Sequence, residues 1–311
     1  MNISLQQTEL WQNLQTDLGE TSFFEKNQDF QYLAIKKSTP FGPYLYLPYG
    51  PFAQTATGFQ KALKNLKNLA KSQNAIFVRI EPQNRDFLPK IPKNARKTHE
   101  INPENTWVLD LTPEKSVIIS NFDQGTRTRF NTFAKKGLSV SVSKNPDDIK
   151  YLVDLQQKLA KTKKIGAFSA NYLKTELKQD FATLYLVHYA DAATNSDKII
   201  AASLFFDFKD TRFYMQSAAD AEFKKLPGTV ALLTTAIFDA KAKNLKNFDF
   251  WGIAPENAKN HPWAGFTAFK KSFGGSAVHY CGTFDIVENP LKYTFYTVFR
   301  AANRFFRKIR A

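Results

Sequence analysis

The chain has 311 residues, of which 43% are hydrophobic, 14% aromatic and 23% charged, enough apolar material for one large or two ordinary packed domains and too much for a disordered chain. Lysine plus arginine exceed aspartate plus glutamate by 43 − 28 = 15, and the pI is near 9.6; this excess implies an anionic partner such as nucleic acid, phosphorylated metabolites or an acidic membrane surface. One cysteine, Cys281, excludes an intramolecular disulfide and a thiolate-rich zinc site, while His99, His188, His261 and His279 are scattered without metal-ligand spacing, so neither metal nor cofactor is expected.

The opening MNISLQQTELWQNLQTDLG lacks the basic and apolar regions of a secretory signal, and no window approaches twenty consecutive apolar residues, which predicts a soluble, cytoplasmic protein. Leu5, Leu10, Trp11, Leu14 and Leu18 mark a first helix over 5–18, closed by Gly19. Short β-rich runs follow at Tyr32–Ile35 and Tyr44–Leu47, separated by STPFGP, and PYGPF then breaks the chain. Ala62, Leu63, Leu66, Leu69 and Ala70 give a second helical face, with Lys61, Lys64, Lys67 and Lys71 opposite, before the strand AIFVRI at 75–80. From Pro82 to Pro103 the composition turns to Pro, Asn, Lys and Arg, a loop-rich connection.

A second block starts with the strand TWVLDL at 106–111 and one helix over about Pro113–Lys136, then the alternating strand LSVSVS. Asn145 with Asp147 and Asp148 starts a helix running to Lys163, and 170–180 is predicted helical. Strands are predicted at 184–189, 199–208 and 211–217, the last two joined by a Lys209–Asp210 hairpin. A helix from Gly228 to Lys243, the strand NFDFWGI at 247–253, a short helix TAFKKSF, a final strand and a helical tail from Pro290 complete the order. No repeat of 20–50 residues occurs, and the mixture suits two α/β units with twisted mixed sheets.

Several clusters carry chemistry, each with a plainer alternative. Lys225-Leu-Pro-Gly228-Thr-Val230 lies where acetyl-CoA-dependent N-acetyltransferases place a pyrophosphate loop, but in degraded form, and is equally an ordinary helix start. The lysines at 61, 64, 67 and 71 form either a solvated face or, continued by Arg79, Arg85, Lys90, Lys93, Arg96 and Lys97, a phosphate-binding surface. In the tail, Leu291, Phe295, Val298, Ala302, Phe305 and Ile309 recur at 4-3-4-3-4 spacing, with Lys292, Arg300, Arg304, Arg307, Lys308 and Arg310 and no acid. That helix either lies on an anionic membrane or docks on the core. No G-x-S-x-G, Walker A or H-E-x-x-H motif is present, and Cys281 sits in an apolar strand context, so an enzyme built from this chain must work by positioning and electrostatics.

The most specific stretch is DFWGIAPENAKNHPWAGFTAFKKSFGG, Asp249–Gly275. It resembles the C-terminal signature of the FemABX family, tRNA-dependent aminoacyltransferases of peptidoglycan cross-bridges, whose pattern is approximately Y-D-x-x-G-I followed by G-x-x-x-F-K-x-x-F-G. LYLPYGP at 45–51, FVRIEP at 77–82, WVLDL at 107–111 and RTRFNTFAKKGLSV at 127–140 agree with the family in order, so the resemblance spans nearly the whole chain.

The resemblance implies two tandem N-acetyltransferase-like domains of α/β (α+β) type, 1–106 completed by 280–311 and 107–279, with 290–311 as a basic amphipathic helix. It implies transfer of an amino acid from aminoacyl-tRNA to a stem-peptide amine of lipid II or a UDP-MurNAc-pentapeptide, by a monomer at the cytoplasmic face of the membrane. By the same resemblance Lys270 and Phe269 match the family's Phe-Lys pair, Lys270 stabilising negative charge at the tRNA ester unless it is an ordinary surface lysine. Asp249 either handles the incoming amine or caps a turn. Glu81, Arg79, Tyr172, Tyr214, Gln216 and Trp251 are expected on substrate, and Lys61, Lys64, Lys67, Lys71 and Arg127 on tRNA phosphates. Asn13 and Phe168 stand where one branch carries a phosphate-binding lysine and arginine, and the family's coiled-coil arm has no counterpart here. A CoA-dependent N-acyltransferase and a non-catalytic tRNA- or membrane-binding relative remain alternatives.

Overall fold

In the computed structural model, which describes residues 3–163, 168–191, 196–256, 258 and 261–309, the chain divides into two units, Met1–Glu104 with His279–Ala311, and Asn105–Val278. The first unit opens with a 3-10 turn over Leu5–Gln7. Thr8 then caps α1 (Glu9–Asp17) by accepting the Trp11 N–H, so the single helix expected over 5–18 is two pieces joined at a capping hydroxyl. β1 (Ser22–Lys26), which the sequence did not suggest, pairs antiparallel with β2 (Phe30–Lys37), followed by β3 (Tyr44–Leu47) and the short β4 (Phe52–Ala53). Thr55 caps α2 (Ala56–Ser72), which buries Phe59, Ala62, Leu63, Leu66 and Ala70 against the sheet. β5 (Phe77–Ile80) and β6 (Arg96–Lys97) end this stretch.

The second unit runs through β7 (Asn105–Asp110), α3 (Lys115–Ser120), α4 (Gln124–Thr132), β8 (Leu138–Ser143), α5 (Ile149–Lys163) and α6 (Ala170–Leu177). β9 (Ala182–Asp191), β10 (Ser196–Phe208), β11 (Thr211–Ala219), α7 (Gly228–Ala242), β12 (Asn247–Gly252), α8 (Ala264–Lys271) and β13 (Ser276–His279) follow. The one helix expected over 113–136 is broken because Asp123 caps α4, accepting the Thr126 N–H at 2.6 Å, while Arg127 donates to the Ser120 and Phe122 carbonyls that α3 leaves open. The strands order as β13-β7-β12-β11-β10-β9-β8; β7–β12, β11–β10, β10–β9 and β9–β8 pair antiparallel and β11–β12 parallel. α7 is apolar on most of its surface and lies buried against Tyr185, Phe205 and Phe248 in the main core of this unit.

The chain then returns to the first unit. β14 (Phe284–Val287) inserts between β5 and β6 in a sheet ordered β1-β2-β3-β5-β14-β6, with β3 and β5 parallel, and α9 (Pro290–Ile309) follows. Both sheets are therefore mixed and flanked by helices, the α/β architecture expected. No described helix is long and apolar enough to cross a membrane.

The structure corrects one expectation here. Arg79 does not belong to a basic surface; it is 1% exposed within β5 and grips Asp285 of β14 with two hydrogen bonds of 2.7 and 2.8 Å. The Tyr293 hydroxyl of α9 donates to the same carboxylate at 2.9 Å, and Tyr293 and Tyr296 pack on Phe77 at 5.3 and 5.1 Å. These tyrosines, on the face away from the regular apolar stripe, dock α9. Of the stripe, Leu291, Phe295 and Val298 are 69%, 53% and 62% exposed, Phe295 also stacking on Phe41 at 6.2 Å. The side chains of Arg304, Phe305, Arg307, Lys308 and Ile309, and all of Arg310, lie outside the described residues.

Removing one partner of a buried bidentate pair leaves the other charge stranded, which costs about 3–5 kcal/mol. Asp285→Ala is expected to destabilise the first unit by that amount in chemical denaturation, and Arg79→Met with Asp285→Leu to recover most of it. A loss below about 1 kcal/mol in the single variant would remove the pair from its structural role.

Candidate functional site

β11 and β12 run parallel but pair at only three positions, Thr211 with Asn247, Arg212 with Phe248 and Phe213 with Asp249. Beyond Phe213 and Asp249 the pairing ends and the sheet forks. The cause lies in the sequence Asp249-Phe-Trp-Gly: the Asp249 carboxylate accepts the Trp251 N–H at 2.7 Å, an Asx turn that holds Trp251 at φ +66°. A bulky residue in that left-handed region is strained, and such strain collects at functional sites. On its other side β12 slips register between Asp249 and Gly252 before Gly252 pairs with Thr106. β11 is irregular as well. Ser203 pairs with Ser217 but Phe205 with Tyr214, a bulge that re-aims the residues between them, including Gln216.

The F-K-x-x-F-G pattern sets Lys270 near this turn. The Thr267 hydroxyl accepts the Ala254 N–H at 2.8 Å, tying α8 to the loop after β12. Phe269, partly buried, meets the buried Phe273 edge-on at 5.3 Å and so anchors α8 to the core. After the helix, Gly274 and Gly275 take φ +76° and +97°, Trp107 Nε1 donates to the Gly274 carbonyl at 2.7 Å, and a Cβ on Gly275 would stand 2.4 Å from the Val108 carbonyl oxygen. With both ends of α8 fixed, Lys270 is half-buried and its Nζ donates to the Gly252 carbonyl at 2.5 Å.

Burial dominates the electrostatics of both groups. It pushes the Asp249 carboxyl up to about 7, against the Trp251 N–H and the Lys270 charge, which favour the carboxylate. It lowers the Lys270 ammonium to about 8, opposed by the charge of Asp249. A carboxyl and an amine whose titrations are both drawn towards neutrality, at a strained turn where a sheet opens, are a candidate pair for handling a proton.

A second polar cluster was not foreseen. Glu176 of α6 is fully buried, and burial pushes its carboxyl up to about 8, against Tyr172 and Gln216, which pull it down. Gln216 Nε2 donates to Glu176 Oε1 at 3.3 Å, and Tyr172 stacks on Phe168 at 5.4 Å. Tyr172 and Gln216, separately expected on substrate, are thus brought together by a glutamate whose i, i+4 spacing from Tyr172 was the only sequence signal for it. Tyr214 stacks on Phe205 at 5.5 Å and bonds Ser217 at 2.7 Å; Trp251 meets Phe213 edge-on at 6.2 Å.

Other expected residues fall elsewhere. Glu81, in the first unit and 3% exposed, accepts the Tyr46 and Thr283 hydroxyls at 2.8 and 2.9 Å, the Asn102 amide at 2.9 Å and the Ile101 and Asn102 N–H groups at 3.2 Å. Both its oxygens are thus committed to joining β5, the loop before residue 103 and the returning chain. Lys61, Lys64, Lys67 and Lys71 line the exposed face of α2, Lys61 paired with Asp29 at 2.7 Å. Arg127 is occupied in closing α3. Ser141, His188 and Asp197 form a hydrogen-bonded relay, 2.7 and 2.9 Å, across β8, β9 and β10, but the serine stands exposed on a regular strand and the relay holds the sheet's outer strands together.

Residues 184–301 match the model of the FemAB family. No curated protein matches the chain. Among solved structures, the crystal structure of FemX shares the fold at a TM-score of 0.82 and 15% identity, over 94% of each chain. L-PGS from Bacillus licheniformis shares it at 0.62 and 14% identity, over 98% of this chain and 99% of that one.

Asp249→Asn is expected to drop the Lys270 titration below about 8, because it removes the charge that holds the ammonium up. Lys270→Met is expected to lift the Asp249 carboxyl above about 7 for the reciprocal reason. Carbon-13 titrations of ε-labelled lysine and carboxyl-labelled aspartate read both shifts, and movement in the opposite direction breaks the coupling.

Proposed function

We propose that this chain, which by its residues 184–301 belongs to the FemAB family, is an acyltransferase that moves an amino acid from the 3′ ester of an aminoacyl-tRNA to a stem-peptide amine of a peptidoglycan precursor, lipid II or its UDP-linked form. The observation that carries this reading is the Asp249–Lys270 pair at the fork of the second sheet. Aminolysis of an ester forms one C–N bond, breaks one C–O bond and moves one proton from the amine to the departing 3′ oxygen. The ammonium of Lys270, with donors left beyond its bond to Gly252, stabilises the charge that develops on the ester and leaving oxygens. Asp249, titrating near neutrality, holds the amine's proton in transit. No covalent enzyme intermediate is needed. The exposed lysines of α2 supply a surface for tRNA phosphates.

The exposed stripe of α9 supports a place for the reaction. Leu291 and Val298, with the outer part of Phe295, stand exposed on the same helix as Lys292 and Arg300, a combination suited to the headgroup layer of an anionic membrane, where a lipid-linked acceptor resides.

The decisive experiment incubates the protein with charged tRNAs and a lipid II analogue and follows the mass of the stem peptide. A gain of one or more aminoacyl residues is expected, with Lys270→Ala slowing transfer by about 10²–10³-fold. Transfer from an acyl-CoA and from no charged tRNA overturns the reading. Separately, Leu291→Ser, Phe295→Ser and Val298→Ser together should abolish co-sedimentation with phosphatidylglycerol vesicles while leaving thermal unfolding unchanged; retained binding removes the stripe from membrane contact.

A further inference from the structure

The Glu176 cluster is not used by the chemistry above, and it is chemically one-sided. Glu176 Oε2 and Gln216 Oε1 are both buried and have no hydrogen-bond partner among the described residues. The amide of Gln216 spends its Nε2 on Glu176 Oε1, so its free oxygen lies beside the same carboxyl group. A third orphan of the same kind, Gln156 Oε1, sits on α5, the helix packed against both α6 and β11. With Glu176 ionised, all three unmet oxygens of this cluster are acceptors; the fourth buried orphan, the Thr106 hydroxyl, lies apart on β7. Buried polar groups in folded proteins are ordinarily satisfied, so a set left open in one chemical sense marks what is missing.

The missing component must bring several N–H or O–H donors and tolerate, or carry, positive charge beside a carboxylate. No group of three or more His, Cys, Asp or Glu side chains able to hold a metal ion occurs among the described residues, and Glu176 is the one carboxylate among the three orphans. A primary ammonium has three donors on one small centre and fits acceptors spaced around a single point. The bulge in β11 turns Gln216 out of simple alternation, close to the fork at Asp249, where a reacting amine is needed. We propose that Glu176 Oε2 and Gln216 Oε1 form a recognition site for a primary ammonium group. The inference depends on the transfer reading only for the identity of the ligand, which is either the α-ammonium of the aminoacyl donor or the amine of the acceptor peptide.

The empty site favours a protonated Glu176, whereas a bound ammonium favours the carboxylate, so binding near neutral pH expels a proton from the protein. Isothermal titration of the full chain, without turnover, tests this with two pairs of probes. One pair is 3′-glycylamino-3′-deoxyadenosine and its N-acetyl form; the other is a pentapeptide with a free lysine ε-amine and its ε-acetyl form. One amine-bearing probe is expected to bind roughly tenfold to a hundredfold tighter than its acetylated partner and, comparing phosphate with Tris buffer, to release close to one proton. Both differences should vanish in Glu176→Gln and shrink in Gln216→Leu. If Glu176→Gln fails to fold, Gln216→Leu carries the comparison. Equal binding of both members in each pair, absence of proton release, or full retention of the preference in the folded variants overturns the site. Failure of aminoacyl transfer with this preference intact would overturn the transferase reading alone.

Discussion

The second unit depends on one short hydrogen bond, from the Trp251 N–H to the Asp249 carboxylate. A parallel strand pair continues for as long as both backbones stay extended. By recruiting a backbone donor two residues ahead, Asp249 turns β12 out of that conformation and ends its pairing with β11 after three positions. The fork, the strained Trp251 and the approach of Lys270 to the Gly252 carbonyl all follow from that turn. The carboxylate that shapes the backbone is also the one whose charge opposes the desolvation of Lys270. Structural and chemical demands therefore fall on the same two oxygens.

Buried charges divide into two kinds across the molecule. Arg79 with Asp285, and Arg212 with Asp207 and Asp239, are paired through several short hydrogen bonds, and their partners outweigh desolvation, keeping the guanidinium groups fully charged. Asp249, Lys270 and Glu176 have too few partners to offset burial and are drawn towards neutral pH. The first kind fastens elements together. The second gives groups able to exchange protons or charge with something that enters. Glu81 stands between them: deeply buried, yet surrounded by donors that restrain its rise.

The elements with strong periodicity were legible in the sequence, among them α2, the β10–β11 hairpin and the tail helix, and α7 was legible as a long apolar run after Gly228. Asp249 and Lys270 were singled out through the family resemblance of one signature, whose Phe269, Phe273 and two glycines carry packing constraints that only a few residue types meet. Boundaries set by capping side chains, Thr8 and Asp123, were not anticipated, since each cap competes with a helix pattern that continues past it. Arg79 was misplaced because a charged residue in an apolar strand is read as exposed unless its partner is known, and that partner lies 206 residues away. Glu176 was missed for a related reason: nothing local distinguishes a helical glutamate on the solvent side from one beneath a bulged strand. The exposure of the α9 stripe depended on which of two apolar faces, tyrosines or aliphatics with phenylalanines, found the core.

The position of β14 has a consequence for how the chain is made. Residues 105–278 are contiguous and can close their sheet as soon as they emerge during synthesis. The first unit cannot, although it begins at the N-terminus, because β14 lies between β5 and β6 and supplies the aspartate that neutralises Arg79. Until residues 284–287 arrive, β5 presents an open edge and an unpaired buried-type arginine, a state prone to pairing with other strands. The earlier-made half of the protein therefore finishes folding last.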